Sequence, residues 1–314
     1  MQITGVSIAV LIPCYNEGAA IYHVVQSIRQ QLPQALIYVY DNNSTDDTCE
    51  QALSAGAIVR FEPKQGKGNV VRRMFADIEA NIYLMIDGDG TYDVKAAPYM
   101  IEMLINENLD MVIGARKEET ETAHRPGHKL GNQLFNWVLA LLFKSKYKDI
   151  FSGYRVFSKR FVKSFPALSS GFDVETELSI YSLEMGLPVK EIETPFFDRV
   201  EGSVSKLSTF RDGFLILWRM FFLFKEIKPM VFFGLIFIFF TTLSILLGYP
   251  VITEYLRTGL VPRLPTAILS TGIMLLGFLS LTCGFILDSL SHGRKELKRI
   301  HYLMFKPAGS YSQK

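Results

Sequence analysis

Four short polar stretches hold most of the side chains in this chain that could do chemistry, and each follows an apolar run. Asp87-Gly88-Asp89-Gly90-Thr91 places two carboxylates at i and i+2 on a turn that glycines make permissive. Such a pair can hold a hard divalent cation and leave sites for phosphate oxygens, as magnesium prefers, although an ordinary turn can look the same. Pro13-Cys14-Tyr15-Asn16-Glu17-Gly18 and Asp41-Asn42-Asn43-Ser44-Thr45-Asp46 add further acids and amides. The second of these also suits a helix N-cap, which needs only one such residue. Gly114-Ala115-Arg116 supplies a guanidinium, whose planar fork matches phosphate. Lys67, between Gly66 and Gly68 ahead of a helical stretch, adds a second cation where phosphates bind well.

The elements that must position these groups alternate strand and helix. Strand-like runs are Val6 to Ile12, Ala35 to Tyr40, Ala57 to Phe61, Ile82 to Ile86 and Met111 to Ile113. Helical periodicity marks Gly18 to Gln31, Thr45 to Ala55, Gly68 to Ile78 and Ala97 to Glu107. This order predicts an α/β fold with a mostly parallel sheet covered by helices. Ligands of such sheets sit at the carboxyl ends of the strands, where the polar stretches fall.

The chain has 314 residues, 49% apolar and 20% charged, which excludes a disordered or collagen-like protein. Cys14, Cys49 and Cys283 form no disulfide or zinc pattern and fit a reducing compartment. Net charge is +2, but residues 1–202 carry 20 Lys/Arg against 26 Asp/Glu, and residues 203–314 carry 13 against 5. Only the second part suits an anionic surface, here a lipid bilayer, and no nucleic-acid partner is expected. Met230 to Gly248 and Thr266 to Leu287 are free of charge and long enough to cross a hydrocarbon core of roughly 30 Å. Met1 to Pro13 lacks the basic start and cleavage site of a signal peptide. Lys225 and Lys228 before the first span, and Arg294, Lys295, Lys298 and Arg299 after the second, predict that both termini are cytoplasmic. The expected organisation is a cytoplasmic catalytic domain at 1–207, an amphipathic juxtamembrane helix at 208–228, a two-span hairpin at 229–290 and a basic cytoplasmic tail at 291–314. Leu130 to Phe143 reads equally as a second interfacial helix or as a core helix. Small residues on the spans, Gly272 and Gly277 among them, permit association with a second copy.

The motifs, in this order, resemble family 2 glycosyltransferases of the GT-A, or nucleotide-diphospho-sugar transferase, fold. The likeness rests on Pro13-x-Tyr15-Asn16-Glu17, Asp41-x-x-Ser44-x-Asp46, Gly66-Lys67-Gly68, Asp87-x-Asp89 and Gly114-x-Arg116. Within that superfamily the chain looks like the polyprenyl-phosphate glycosyltransferases, relatives of dolichyl-phosphate mannose synthase and of the undecaprenyl-phosphate glucosyltransferases. Ser152-Gly153-Tyr154-Arg155, Phe172-Asp173-Val174-Glu175-Thr176-Glu177, Glu191-Ile192-Glu193-Thr194-Pro195 and Arg199 to Gly213 carry this second likeness, which covers roughly residues 6 to 290. The chain has Thr91 where some relatives have a Gln at the metal side.

The resemblance implies a nucleotide-sugar donor, a UDP-hexose or UDP-N-acetylhexosamine ahead of GDP-mannose, and a polyprenyl phosphate acceptor. It implies Pro13, Tyr15, Glu17, Asp41, Asp46, Lys67, Asp87 and Gly88 around the nucleotide sugar, and Asp87 with Asp89 on Mg2+ or Mn2+. Asp89, Arg116 and Arg155 are the expected catalytic group, and Arg155, Arg199, Ser203 and Lys206 the expected grip on the acceptor phosphate. Lys206 would equally serve as a juxtamembrane cation on anionic lipid. Asp173, Glu175 and Glu177 share a face if their segment is extended, as a base or as an anchor for nearby arginines. Glu118 to Arg125 reads as a loop next to Arg116, a lid over the donor or merely disordered. A processive polysaccharide synthase is disfavoured because Gln133-Leu134-Phe135-Asn136-Trp137 lacks the expected Arg and two spans build no channel. A different lipid acceptor such as diacylglycerol, or an inactive membrane scaffold, ranks lower.

Overall fold

The computed structural model describes residues 5–118, 147–168, 174–198, 222 and 224–311. The chain divides into two compact units, one of Met1–Phe210 with Lys298–Lys314 and one of Arg211–Leu297.

The first unit is built on a seven-stranded sheet in the order β3-β2-β1-β4-β6-β5-β7. Its strands are β1 (Ile8–Cys14), β2 (Leu36–Asp41), β3 (Ile58–Phe61), β4 (Ile82–Met85), β5 (Met111–Glu118), β6 (Arg155–Ser158) and β7 (Val189–Phe196). Only β6 runs against its neighbours, β4 and β5. Helices α1 (Gly18–Gln31), α2 (Thr48–Ser54) and α4 (Ala97–Asn106) are assigned to one apolar layer, and α3 (Lys67–Asp77), α5 (Lys159–Ser164) and α6 (Val174–Met185) to the other. The period-two alternation of β1 serves both layers, Val10 and Ile12 facing one and Ala9 and Leu11 the other. On α1, Ile21, Val24, Val25 and Ile28 at helical spacing form the buried stripe. Since β1 pairs with β2 on one side and β4 on the other, the strand order reverses at β1, and the crevice lies at its carboxyl end.

The sequence reading makes residues 291–314 a tail, and the structure gives most of that stretch to the first unit. Tyr302 is 5% exposed and donates a 2.7 Å hydrogen bond to Asp110, a fully buried carboxylate at the base of β5. Asp110 also accepts from Ser158 and from both forks of Arg160, whose guanidinium lies over the Tyr302 ring. Ala308 enters the apolar layer beside α4. Of the basic residues here, Lys298 pairs with half-buried Glu184, which charge counting along the sequence does not show. Tyr302→Phe is expected to lower stability by about 1.5 kcal/mol, the net worth of a buried hydrogen bond to a charged partner. Denaturant unfolding of the purified chain measures it.

The second unit contains α7 (Pro229–Thr258) and most of α8 (Leu264–Leu303). Both are long and apolar enough to span a bilayer, and only 6% and 11% of their most apolar windows are buried, unlike core helices. Ser244 and Ser270 each donate through Oγ to the other's carbonyl, at 2.8 and 2.9 Å. A Cβ at Gly277 would lie 3.5 Å from Phe237, Phe240 and Thr241 within this helix pair, whereas one at Gly272 would have nothing within 4 Å. One of the two small residues available for association is therefore already used inside the hairpin.

Candidate active site

Three loops at the carboxyl edge are tied together before any ligand is considered. Asn16 N–H donates to Ser44 Oγ at 2.8 Å, Thr45 N–H to Asn16 Oδ1 at 2.7 Å and Glu17 N–H to Thr48 Oγ1 at 2.9 Å, joining the loops after β1 and β2. Asn42 reaches the third loop, donating to the carbonyls of Glu62 and Lys64 and accepting from Gly66 N–H. Pro13, Tyr15 and Glu17 are half-buried on this edge, and Asp41 is buried. Asp41 accepts from Ser44 N–H, so the expected nucleotide-side residues do converge on one crevice.

Asp46 stands at two helix starts, the capping alternative that its stretch left open. Its carboxylate accepts from Gly18 N–H at the start of α1 and from the backbone and hydroxyl of Thr48 at the start of α2. It fastens two helix N-termini. Burial alone would raise its pKa, but the bonds from Thr48 and Gly18 outweigh burial and hold it below the ordinary value. A depressed folded pKa gives stability that is present above the unfolded value of about 3.9 and lost as pH falls through the folded one. Asp46→Asn is therefore expected to destabilise the protein at neutral pH, with the difference from wild type shrinking below about pH 4. Melting temperatures across that range test the sign.

The acidic pair closes β4. Gly88 faces Cys14, and a Cβ there would lie 2.6 Å from its Sγ, so the middle residue of the pair has no room for a side chain. Burial, and then the neighbouring acids, push the Cys14 thiol well up, which keeps it neutral. Asp89 is 6% exposed and accepts from the N–H and hydroxyl of Thr91, the latter at 2.7 Å. Thr91, in the position where some relatives have Gln, orients Asp89. Among the described residues no cluster of three or more acids, His or Cys could hold a metal by itself. Two carboxylates fit a cation such as Mg2+, which takes its other ligands from phosphates and water.

Lys67, expected beside a diphosphate, is spent on carboxylates instead. Its ammonium bonds to Asp87 at 2.5 Å and to Glu175. Burial opposes the charge, but Asp87 and then Glu175 outweigh it and raise the Lys67 pKa. Glu175 is 5% exposed on α6, so the extended alternative for this segment is corrected to a helix over 174–185. Of the two roles left open, base or anchor, Glu175 takes that of an anchor, with Lys67 as its cation. Glu177 accepts from Leu168 N–H.

Arg155 requires a second correction. It is 0% exposed and donates to the carbonyls of Ile150 and Ser152 at 2.6 and 2.8 Å and to Ser179 Oγ at 3.0 Å. A guanidinium sealed in this way fastens a loop and does not present a face to an acceptor phosphate. Burial lowers its pKa, with Glu175 and Asp149 acting against that. The loop it fastens carries Gly153, which sits against the Asp87 carboxylate and donates its N–H to Tyr92 Oη. Arg116, half-buried, stands over the Phe196 ring with its centre 5.5 Å away, and forks onto Asp149. Burial, and then Asp87, push the Tyr92 hydroxyl up to about 12.

Arg199, Ser203, Lys206, Asp173, the 119–125 part of the loop after Arg116 and the 130–143 segment lie outside the described residues. The same holds for residues 208–221 and 223 of the expected juxtamembrane helix. Sequence reasoning missed Tyr92 and Asp149. Tyr92 directly follows the acidic turn without belonging to its motif, and Asp149 reaches this edge through its fork with Arg116.

An α/β sheet with acids and cations gathered at its switch point suits a phosphate-bearing ligand, and the comparisons with known proteins give the family. Residues 9–165 match the family model Glycosyl transferase family 2. Glycosyltransferase AglJ of Haloferax volcanii is 32% identical over 304 residues, covering 95% of this chain and 98% of the relative. The chain belongs to the family 2 glycosyltransferases. Protein RfbJ of Shigella flexneri is 55% identical over 124 residues, 39% of this chain and 96% of that protein. Glucosyl-3-phosphoglycerate synthase from Mycobacterium tuberculosis, solved with Mn2+ and UDP-glucose, shares the GT-A fold at a TM-score of 0.58 and 22% identity, over 71% of this chain and 79% of that one.

Proposed function

We propose that this glycosyltransferase moves a sugar from a nucleoside-diphosphate donor to a polyprenyl phosphate, undecaprenyl or dolichyl, at the cytoplasmic face of the inner membrane. The observation that carries this reading is that one chain holds the acid-and-cation crevice and two exposed apolar helices of bilayer-spanning length. The likeness to AglJ runs through both parts. Lys298–Tyr311 belongs to the same unit as the N-terminal domain, which supports two spans that leave and return on one side. Polyprenyl phosphate is an acceptor that such a membrane-held transferase would meet in its own bilayer. A UDP-hexose or UDP-N-acetylhexosamine is favoured over GDP-mannose, since solved neighbours of this fold hold UDP-glucose.

The acceptor monophosphate is largely dianionic at neutral pH, its second pKa being near 6. Its oxygen can attack the anomeric carbon unaided by a base, so the assignment of Glu175 to Lys67 leaves no gap in the chemistry. The C–O bond to the diphosphate breaks as the new bond forms on the opposite face, and the configuration inverts. A divalent cation, Mg2+ or Mn2+, held by Asp87 and Asp89 would neutralise the departing diphosphate. Arg116 adds fixed positive charge on the same edge, so positioning and electrostatics supply the catalysis. The acceptor phosphate is assigned to Arg199, Ser203 and Lys206, which follow β7 directly in sequence.

The test is sugar transfer by the detergent-purified chain to undecaprenyl phosphate, with a panel of labelled UDP- and GDP-sugars, with and without EDTA. The expected result is chelator-sensitive conversion of one donor to a lipid-extractable, acid-labile product. Nucleotide binding with no lipid product from any donor would remove the polyprenyl acceptor.

A further inference from the structure

Arg116 is held by Asp149 through three hydrogen bonds. Its Nε–H and one Nη2–H donate to the two carboxylate oxygens at 2.7 and 2.8 Å, and its backbone N–H donates to Oδ2 at 3.1 Å. Two of the five guanidinium N–H groups are thus used, and the other three have no partner among the described residues. The ring of Phe196 forms a shelf beneath the guanidinium, and that ring packs on Tyr92.

The backbone that carries this carboxylate is itself fixed from both sides. Glu191, on β7, accepts the N–H groups of Lys148 and Asp149, each at 2.8 Å. Register places Glu191 opposite Ile113 and Thr194 opposite Arg116, so the clamp is anchored on the strand beside the one that carries the arginine. On the other side Arg155 grips the carbonyls of Ile150 and Ser152, and Ser152 Oγ donates to Gly114 O at 2.6 Å. Asp149 is accordingly a rigid feature of the edge, with 9% of its side chain exposed against 31% for Arg116.

A bidentate Arg–carboxylate fork contributes to the fold even with the arginine a third exposed, so stability is one part of this arrangement. Three convergent hydrogen bonds with two supporting layers are also what is needed to hold a long, flexible cation in one orientation. Placed at the carboxyl edge beside the loop carrying Gly153 and Asp87, that cation is set before the anion arrives and needs no reorganisation as charge develops.

We propose that Asp149 is a positioning residue, acting through Arg116 to hold the guanidinium ready for the leaving diphosphate. The inference rests on the donor reading given above, and does not depend on the acceptor. Asp149→Asn keeps the shape and one accepting oxygen but loses the charged fork. It is expected to lower kcat about tenfold to a hundredfold, less than the loss on deleting a transition-state donor outright, with KM for the donor changed less than threefold.

The decisive measurement is a double-mutant cycle with Arg116→Met, read on turnover and on Mn2+–UDP binding, with melting temperatures recorded for every variant. If Asp149 acts through Arg116, adding Asp149→Asn to Arg116→Met changes turnover less than twofold. Additive losses, or a loss that tracks the melting temperature alone, would overturn the proposal. Asp149→Glu retains the charge with a displaced fork, and is expected to lower kcat while melting as wild type does. Full activity in that variant would also overturn the proposal. A wild-type chain that binds Mn2+–UDP but glycosylates no polyprenyl phosphate sinks the acceptor reading, and the cycle is then read on binding and donor hydrolysis.

Discussion

Asp89→Asn is expected to reduce sugar transfer about a thousandfold or more, with the melting temperature close to that of wild type. The substitution preserves an oxygen that can accept from the N–H and hydroxyl of Thr91, so the loop keeps its local bonds. What it removes is a buried negative charge at the end of β4, one of two carboxylates available to a divalent cation there. Neutralising a departing diphosphate is worth several kcal/mol, and about 4 kcal/mol corresponds to roughly a thousandfold in rate. Initial rates at saturating donor across a Mn2+ titration, beside thermal melting, make the measurement. A variant that keeps more than a tenth of the activity excludes Asp89 from the metal site.

Arg155→Met is expected to cost about 3 kcal/mol of stability and most of the activity, although the side chain reaches no ligand. The methionine fills the volume but leaves the Ser152 carbonyl without its donor, and the Ile150 carbonyl with only the longer 3.3 Å bond from Ser179. Buried acceptors left unpaired cost about 1–3 kcal/mol each. The loop then loosens, and with it the Asp149 clamp and the Gly153 seat against Asp87. Denaturant unfolding and transfer rates should therefore fall together. If the variant melts like wild type and loses only its affinity for the acceptor phosphate, Arg155 is a ligand group after all, as its sequence context had implied.

The arginines and lysines show where reading a sequence stops. Charge type and place at a helix start or strand end made Lys67 and Arg116 candidates for a diphosphate, and the family resemblance made Arg155 one for the acceptor phosphate. The fold separates them. Lys67 faces Asp87 and Glu175, which lie 20 and 108 positions further along the chain, and Arg155 is enclosed by the loop and α6. Of the three, Arg116 keeps the most side-chain donors without a partner among the described residues, three of its five. Asp46 is similar, since its role as fastener depends on where the N-termini of α1 and α2 meet.

The elements from β1 to β5 and α1 to α4, the two apolar spans, the family and the candidate edge were legible in the sequence. By contrast, β6, β7 and α5 were not read from it, and α6 stood as an extended alternative. Hydrophobic periodicity is local, and a strand end followed by Asp-Gly-Asp or Gly-Ala-Arg announces itself within a few residues. The 14 residues of α1 were bounded at both ends by that signal, as were the charge-free cores of α7 and α8. Tertiary structure alone decided which charges pair, that the basic C-terminal stretch packs with the catalytic unit through Tyr302 and Asp110, and that Asp149 holds Arg116. Such pairings join residues 20 to 192 positions apart, and their strength depends on burial and geometry that exist only once the sheet has formed.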